Sequence, residues 1–250
     1  MSNVITLYDI PGTAAVDVAW SPNVWRARYV LHIKGLAYKT VWVEYPDIEP
    51  TLKKIGAPPT SMREGAPLYT LPVIHDPATG RIVTDSLQIA LYLDAQYPST
   101  PQLLPPASRA LQIALLETFV TPRVRPPTLK LVIYATASQL NSQSEAFYHR
   151  TRAERVPGYS GTLENVARDP EVRQALLKEL AAAIGELGRW KGDYPFLGGL
   201  NVSYVDAVIA AMLKWFRTVG DRTEWETVRG EIANEWDGLL QTFAKWDAIP

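Results

Sequence analysis

The sequence predicts an α/β domain followed by an all-helical domain, and three observations favour this fold class. Strand and helix signals alternate in the order β-α-β-α-β-β-α through the first 98 residues. A proline-rich stretch follows them, and helical periodicity then replaces the strand signals. We therefore expect an α/β domain at residues 1–98, a linker at 99–106 and a helical domain at 107–250.

The first domain opens with the signals of a strand, a helix and a second strand. Residues Val4–Tyr8 have the composition of a short strand. A helix should begin at Ser21-Pro22, because serine is a favoured N-cap and proline suits the first helical position. Gly35 should end that helix, and the alternation through Tyr38–Tyr45 predicts the next strand.

The remainder of this domain predicts a hairpin and a closing helix. Apolar runs at 71–75 and 81–84 flank the turn sequence Asp-Pro-Ala-Thr-Gly. Asp85 with Gln88 resembles a capping box, so a helix should start there and end near Tyr97, which precedes a proline. Residues 46–70 predict irregular structure with one short helix.

Helical periodicity in the second domain is clearest at Arg109–Phe119, Glu171–Trp190 and Tyr204–Val219. Ser203 and Asp206 resemble a reciprocal cap at the start of the last of these segments. We assign these two residues to folding rather than to catalysis.

Composition narrows the function classes. Of 250 residues, 47% are hydrophobic and the net charge is −1, so no electrostatic field favours nucleic acid or an anionic membrane. The absence of cysteine excludes disulfides, zinc-thiolate sites and a cysteine nucleophile, and three scattered histidines predict no metal site. There is neither an apolar run of spanning length nor a signal-peptide pattern, so we expect a cytoplasmic protein.

The Ser21-Pro22 helix start is the first candidate for chemistry. A helix N-terminus presents free N–H groups and partial positive charge, which stabilise an anion. The Ser21 hydroxyl can also donate a hydrogen bond to a thiolate, and Asn23 can supply a second donor. Taken alone, Ser21 is better explained as a plain helix cap, and a surface or capping role explains Asn23 equally well.

Two further segments are candidates for peptide and carboxylate binding. If Pro72 is cis, the backbone N–H and C=O of Val73 can turn outward and pair with an extended peptide. Ser86, at the predicted helix start beside Asp85, can bind a carboxylate through its hydroxyl and nearby N–H groups. The alternative for Pro72 is an ordinary trans peptide bond, and the alternative for Asp85 and Ser86 is a capping box.

The order and spacing of these segments resemble the glutathione transferase superfamily over nearly the whole chain. The resemblance implies a thioredoxin-like first domain, a helical second domain and a cis Pro72. It further implies that Ser21 activates the glutathione thiol and that Val73 pairs with the cysteinyl unit. Asp85 and Ser86 would hold the γ-glutamyl end.

Residues 21–35, Ser-Pro-Asn-Val-Trp-Arg-Ala-Arg-Tyr-Val-Leu-His-Ile-Lys-Gly, are most similar to the bacterial β-aryl etherases and the related etherase-type transferases of fungi. This resemblance implies glutathione as co-substrate, no metal, and a homodimer. The partner of the glycine carboxylate stays open between Lys53, Lys54 and Arg63.

The expected reaction is attack of the glutathione thiolate on a hydrophobic aromatic electrophile, with aryl-ether cleavage as one form of it. A ligandin that binds such aromatics with little turnover is the alternative. Trp20 and Trp25, near the predicted helix start, are candidates for the aromatic pocket, as is Trp42. Each is also explained as a core or interface residue.

Overall fold

A computed structural model describes residues 4–13 and 19–250, apart from the side chains of residues 233 and 234. Its strands are β1 Ile5–Asp9, β2 Tyr38–Trp42, β3 Ser61–Arg63, β4 Ala66–Leu68, β5 Val73–Asp76 and β6 Arg81–Thr84. The main sheet has the order β2-β1-β5-β6, in which β1 and β2 are parallel and the other neighbours are antiparallel.

The helices of the first domain are α1 Pro22–Ile33, α2 Ile48–Lys54 and α3 Ser86–Gln96. The predicted elements are therefore all present in the predicted order, with two further strands between α2 and β5. Gly35, with a φ of 64°, follows the end of α1 as the sequence indicated. β2 ends at Trp42, short of the predicted Tyr45, because Tyr45 opens a 3₁₀ turn with a proline at its second position.

One element was missed in the region predicted to be irregular. The strands β3 and β4 form a separate two-stranded hairpin joined by Glu64 and Gly65. Both joining residues have positive φ, 52° and 81°. Two consecutive positive φ values are the geometry of a tight hairpin turn, but glutamate before glycine is a weak signal for it.

The second domain is helical. Two of the three predicted segments match α8 and α9 closely, the third spans α4 and the segment after it, and the other helices were not predicted. The helices are α4 Pro106–Leu115, α5 Arg125–Ala137, α6 Ser142–Arg155, α7 Glu164–Arg168, α8 Pro170–Lys191, α9 Tyr204–Val219 and α10 Arg222–Ala244. A π-helical segment, Leu116–Val124, contains Pro122 and joins α4 to α5. Within the described residues, no helix is long and apolar enough to cross a membrane.

The start of α9 is a reciprocal cap, as predicted. The Ser203 hydroxyl accepts from the Asp206 N–H, and the Asp206 carboxylate accepts from the Ser203 N–H at 2.8 Å. Asp206 also accepts the Leu197 N–H at 2.8 Å, so it fixes the preceding loop to the helix. The assignment of this pair to folding is supported by its burial and by its contacts.

Helix α1 lies at the junction of the two domains, packed against α3 on one side and against α9 on the other. Near its end, buried Lys34 donates to Asp94 at 2.8 Å. Asp94 also accepts the N–H groups of Leu103 and Leu104, at 3.3 and 2.7 Å. This network ties α1, α3 and the segment between the domains together.

Ser203→Ala should lower the free energy of unfolding by about 1–2 kcal/mol, because the first turn of α9 loses its capping oxygen. Urea denaturation of the two proteins measures the difference. Ser142→Ala, at the exposed start of α6, is the matched control and should change stability by less than about 0.5 kcal/mol. Equal losses at both positions would contradict the capping role.

Candidate active site

Three segments that carry the predicted site residues meet at one end of the main sheet. Val73 is in register with Tyr8 of β1 on one side and with Thr84 of β6 on the other. The segment preceding Val73 and the start of α3, which follows Thr84, therefore lie side by side. α1 follows β1 in the chain and begins at the same end, because this is the end at which β1 finishes.

Ser21 is the N-cap of α1 and is 4% exposed. Its carbonyl accepts the Trp25 N–H at 2.9 Å, which is the first bond of the helix. Its hydroxyl makes no capping bond to the helix, so far as the described residues go. The hydroxyl is therefore left to donate to a ligand at the helix start.

The backbone adds two more donors at this helix end. Pro22 at the first position has no N–H, and the N–H groups of Asn23 and Val24 precede the first helical bond. These groups carry the partial positive charge of the helix end. The Asn23 side chain itself is exposed, so the structure places it at the rim of the site rather than inside it.

The Leu71–Pro72 peptide bond is cis, as the resemblance implied. Val73, however, lies inside the sheet with a strand on both sides, so its N–H and C=O face a neighbouring strand rather than an open edge. This register does not favour the role expected of Val73, which stays a prediction. Leu71, on the other side of the cis bond, is outside the strands and has no backbone partner among the described residues.

Asp85 and Ser86 form the start of α3. One oxygen of the Asp85 carboxylate accepts the N–H groups of Leu87 and Gln88, at 2.9 and 3.1 Å. The predicted cap is thus present. The Asp85 backbone has a φ of 73°, which is unusual for a residue other than glycine. Strained backbone of this kind recurs at ligand sites, where the surrounding structure holds it in place.

Ser86 is buried and makes a contact that no local pattern predicts. The hydroxyl of Tyr204, at the first position of α9, donates to Ser86 Oγ at 3.0 Å. Burial raises the pKa of Tyr204 to about 12, so this tyrosine remains a donor at neutral pH. Because the Ser86 oxygen accepts from Tyr204, the Ser86 proton is free to be donated elsewhere.

The three tryptophans differ in position. Trp20 is 3% exposed and donates to the Pro11 carbonyl at 3.3 Å, beside the helix start. Trp25 is 1% exposed, and its indole donates to the Ala19 carbonyl at 2.8 Å within the core. The structure therefore places Trp25 in the packing between domains, where it offers no surface to a substrate. Trp42 is 37% exposed.

An aromatic cluster beside Trp20 was missed by the sequence analysis. The Tyr45 ring lies 6.4 Å from Trp20, 5.6 Å from Tyr148 and 6.3 Å from Phe147, measured between ring centroids. Arg152 donates to the Tyr45 hydroxyl at 3.4 Å and lies over the Tyr148 ring. Both domains contribute to this surface, so only their packing brings its residues together.

The three candidates for the glycine carboxylate are not equivalent. Lys53 pairs with Glu49 at 2.6 Å on the exposed face of α2. Arg63 donates to the Arg155 carbonyl at 3.0 Å and so connects β3 to α6. Lys54 is exposed and has no hydrogen bond or ion pair within the described ranges. The choice between them stays open.

No metal centre was expected, and no group of three or more histidine or acidic side chains among the described residues has the proximity to hold a metal ion. The cationic and hydroxyl groups at this end of the sheet instead favour an anionic ligand.

Comparison with known proteins places this geometry in a family. The model of the glutathione S-transferase N-terminal domain matches residues 20–96, and that of the C-terminal domain matches residues 110–246. The chain belongs to the glutathione S-transferase superfamily. Its function is accordingly that of a glutathione S-transferase-like protein.

Two solved structures similar to this chain over almost its full length are fungal. A glutathione S-transferase of Ceriporiopsis subvermispora, CsGST63524, solved in complex with glutathione, is 42% identical with a TM-score of 0.92, covering 99% of both chains. GSTFuA3 of Phanerochaete chrysosporium is 35% identical with a TM-score of 0.89, covering 99% of this chain and 98% of that one.

A curated relative, the glutathione S-transferase-like protein ustS of Aspergillus flavus, is 28% identical over 95% of this chain and 87% of its own length. All three similar proteins agree with the resemblance to fungal members of the superfamily.

Tyr204→Phe should lower the free energy of unfolding by about 1 kcal/mol, because the buried Ser86 oxygen loses its donor. Tyr148→Phe, which removes a buried donor to the Ile133 carbonyl, is the reference variant. It should lower the free energy of unfolding by a similar amount. Denaturant unfolding measures both. An unchanged stability in Tyr204→Phe would mean that the bond to Ser86 contributes nothing to the folded state.

Proposed function

We propose that this end of the sheet binds glutathione and that the start of α1 stabilises its thiolate. The observation that carries the proposal is the contrast between three N-cap residues. Asp85 and Ser203 use their side chains to cap their own helices, whereas the Ser21 hydroxyl does not cap α1. A buried hydroxyl and two free N–H groups then converge where a sulfur anion would lie.

The free energy of a hydrogen bond from Ser21 is sufficient to stabilise a thiolate. A charge-assisted hydrogen bond contributes about 1.5–3 kcal/mol, and one unit of thiol pKa corresponds to about 1.4 kcal/mol. The Ser21 donor therefore accounts for about one to two units of pKa lowering. The partial charge of the helix end adds to this stabilisation without a protein base.

The remaining groups match the rest of the tripeptide. Leu71 offers the open backbone N–H and C=O that the cysteinyl unit needs, in the place first expected of Val73. Ser86 offers a free proton to the γ-glutamyl carboxylate, and Asp85 keeps one carboxylate oxygen for the ammonium. The similar fungal structure solved with glutathione, CsGST63524, supports glutathione as the ligand.

The second substrate we propose is a hydrophobic aromatic electrophile. The aromatic cluster of Trp20, Tyr45, Phe147 and Tyr148 adjoins the thiolate position. Its partly exposed Tyr45 and Phe147 rings offer surface to an aromatic ring, and the buried Trp20 and Tyr148 rings support them from behind. For a β-aryl ether, the carbon–sulfur bond forms as the carbon–oxygen bond breaks. The aryloxide leaves and takes up a proton.

A ligandin role is the alternative for the same aromatic surface. Steady-state rates with a chloronitrobenzene and with a β-aryl ether separate the two. Turnover above the uncatalysed rate supports the transferase. Binding of glutathione and of the aromatic compounds without turnover of either compound would replace the transferase with the ligandin.

Ser21→Ala should raise the pKa of enzyme-bound glutathione by about one to two units and slow thiol transfer without abolishing it. The helix end remains in the variant, so part of the stabilisation is retained. The ultraviolet absorbance of the thiolate in the binary complex, followed against pH, measures the shift.

Asn23→Ala is the matched comparison, since the Asn23 side chain lies at the exposed rim. It should shift this pKa by less than half a unit. If the curves of thiolate absorbance against pH coincide for wild type and Ser21→Ala, Ser21 is a structural residue only.

Phe147→Ala should raise the KM for the aromatic electrophile about fivefold and leave the KM for glutathione unchanged. The half-exposed Phe147 ring stacks on Tyr45 and contributes to the aromatic surface alone. Tyr194→Ala, at an exposed aromatic position outside the cluster, is the control. Parallel changes in both KM values would show that the cluster is not a separate subsite.

A further inference from the structure

Arg26 is a cation that the proposed function has not yet used. It lies on α1, five residues after Ser21, and its Nε atom is buried without a hydrogen-bond partner. Within residues 4–13 and 19–250, no ion pair or hydrogen bond engages its guanidinium. By contrast Arg28, two residues further on, is paired with Asp9 at 2.7 Å.

Arg26 lies on α1, which packs against α3 and α9, the helices that begin at Ser86 and Tyr204. Burial lowers the pKa of Arg26, and Tyr204, Arg125 and Asp85 are near enough to interact with it electrostatically. Asp85 attracts the guanidinium, and Arg125, the exposed first residue of α5, repels it. The half-buried Arg26 has no ion pair among the described residues, and an anionic ligand would offset the cost of burying part of its charge.

Asp85 does not form an ion pair with Arg26. One of its oxygens accepts the Leu87 and Gln88 N–H groups, and no hydrogen bond or ion pair joins its carboxylate to Arg26 in the described part of the chain. The second Asp85 oxygen is available to a donor on the ligand. The site thus offers a cation and an anion side by side.

We propose that Arg26 binds the α-carboxylate of the γ-glutamyl unit together with Ser86, an inference that rests on the proposed function. One carboxylate oxygen accepts from the guanidinium, and the other accepts the Ser86 proton that the Tyr204 bond leaves free. Asp85 accepts from the ammonium on the same carbon. The three residues together recognise a zwitterionic amino-acid end rather than a simple acid.

Calorimetric titration of the full chain with three tripeptides tests this assignment. The ligands are glutathione, 4-aminobutyryl-Cys-Gly, which lacks the α-carboxylate, and glutaryl-Cys-Gly, which lacks the ammonium. Arg26→Gln should bind glutathione and glutaryl-Cys-Gly about 10- to 100-fold more weakly than wild type does. It should bind 4-aminobutyryl-Cys-Gly with the affinity of wild type.

Arg222→Gln, at the exposed start of α10, is the charge-matched control and should leave all three affinities unchanged. Arg26→Lys keeps the charge but not the planar fork, so it should weaken glutathione binding by a smaller factor. If Arg26→Gln fails to fold by circular dichroism, Arg26→Lys decides the question with the same three ligands.

Three outcomes would overturn the assignment. Equal weakening for all three tripeptides would make Arg26 structural, and unchanged glutathione binding would remove it from the site. A changed KM for 4-chloro-3-nitrobenzoate alone, with glutathione affinity intact, would assign the cation to a carboxylate on the second substrate. Wild type that binds none of the tripeptides would overturn the proposed function as well.

Discussion

The burial of α1 between the two domains is the constraint on which the rest of the structure depends. A helix packed on two sides leaves little solvent for its charged residues, so burial favours those that find an internal partner. Arg28 reaches Asp9, Tyr38 and Thr40 across the sheet, and Lys34 reaches Asp94 on α3. These bonds fix the helix along its length, and its N-terminus is therefore held at one end of the sheet.

The position of α1 determines the candidate site, because the groups at the site stand at the ends of helices and strands rather than within them. The start of α1, the start of α3 and the cis peptide before β5 adjoin one another through the pairing of β1, β5 and β6. The second domain contributes from the opposite side: Tyr204 contacts Ser86, and Tyr148 packs against Tyr45. The proposed binding surface exists only when both domains are packed.

The sequence was informative wherever the signal was local. The helix starts at Ser21, Asp85 and Ser203 and the turn between β5 and β6 are each specified by a few neighbouring residues, and they predicted the fold and the candidate site. Contacts between distant residues were not readable: Tyr204 and Ser86 are 118 positions apart. Sheet register was not readable either, and it decides which backbone groups stay open, as at Val73 and Leu71.

The most direct test of the account is a crystal structure of the chain with glutathione bound. The account predicts that the sulfur lies within hydrogen-bonding distance of Ser21 Oγ and faces the N–H groups of Asn23 and Val24. The cysteinyl backbone should pair with Leu71. A sulfur directed away from the start of α1, with Ser21 Oγ bonded to its own helix, would contradict the central claim.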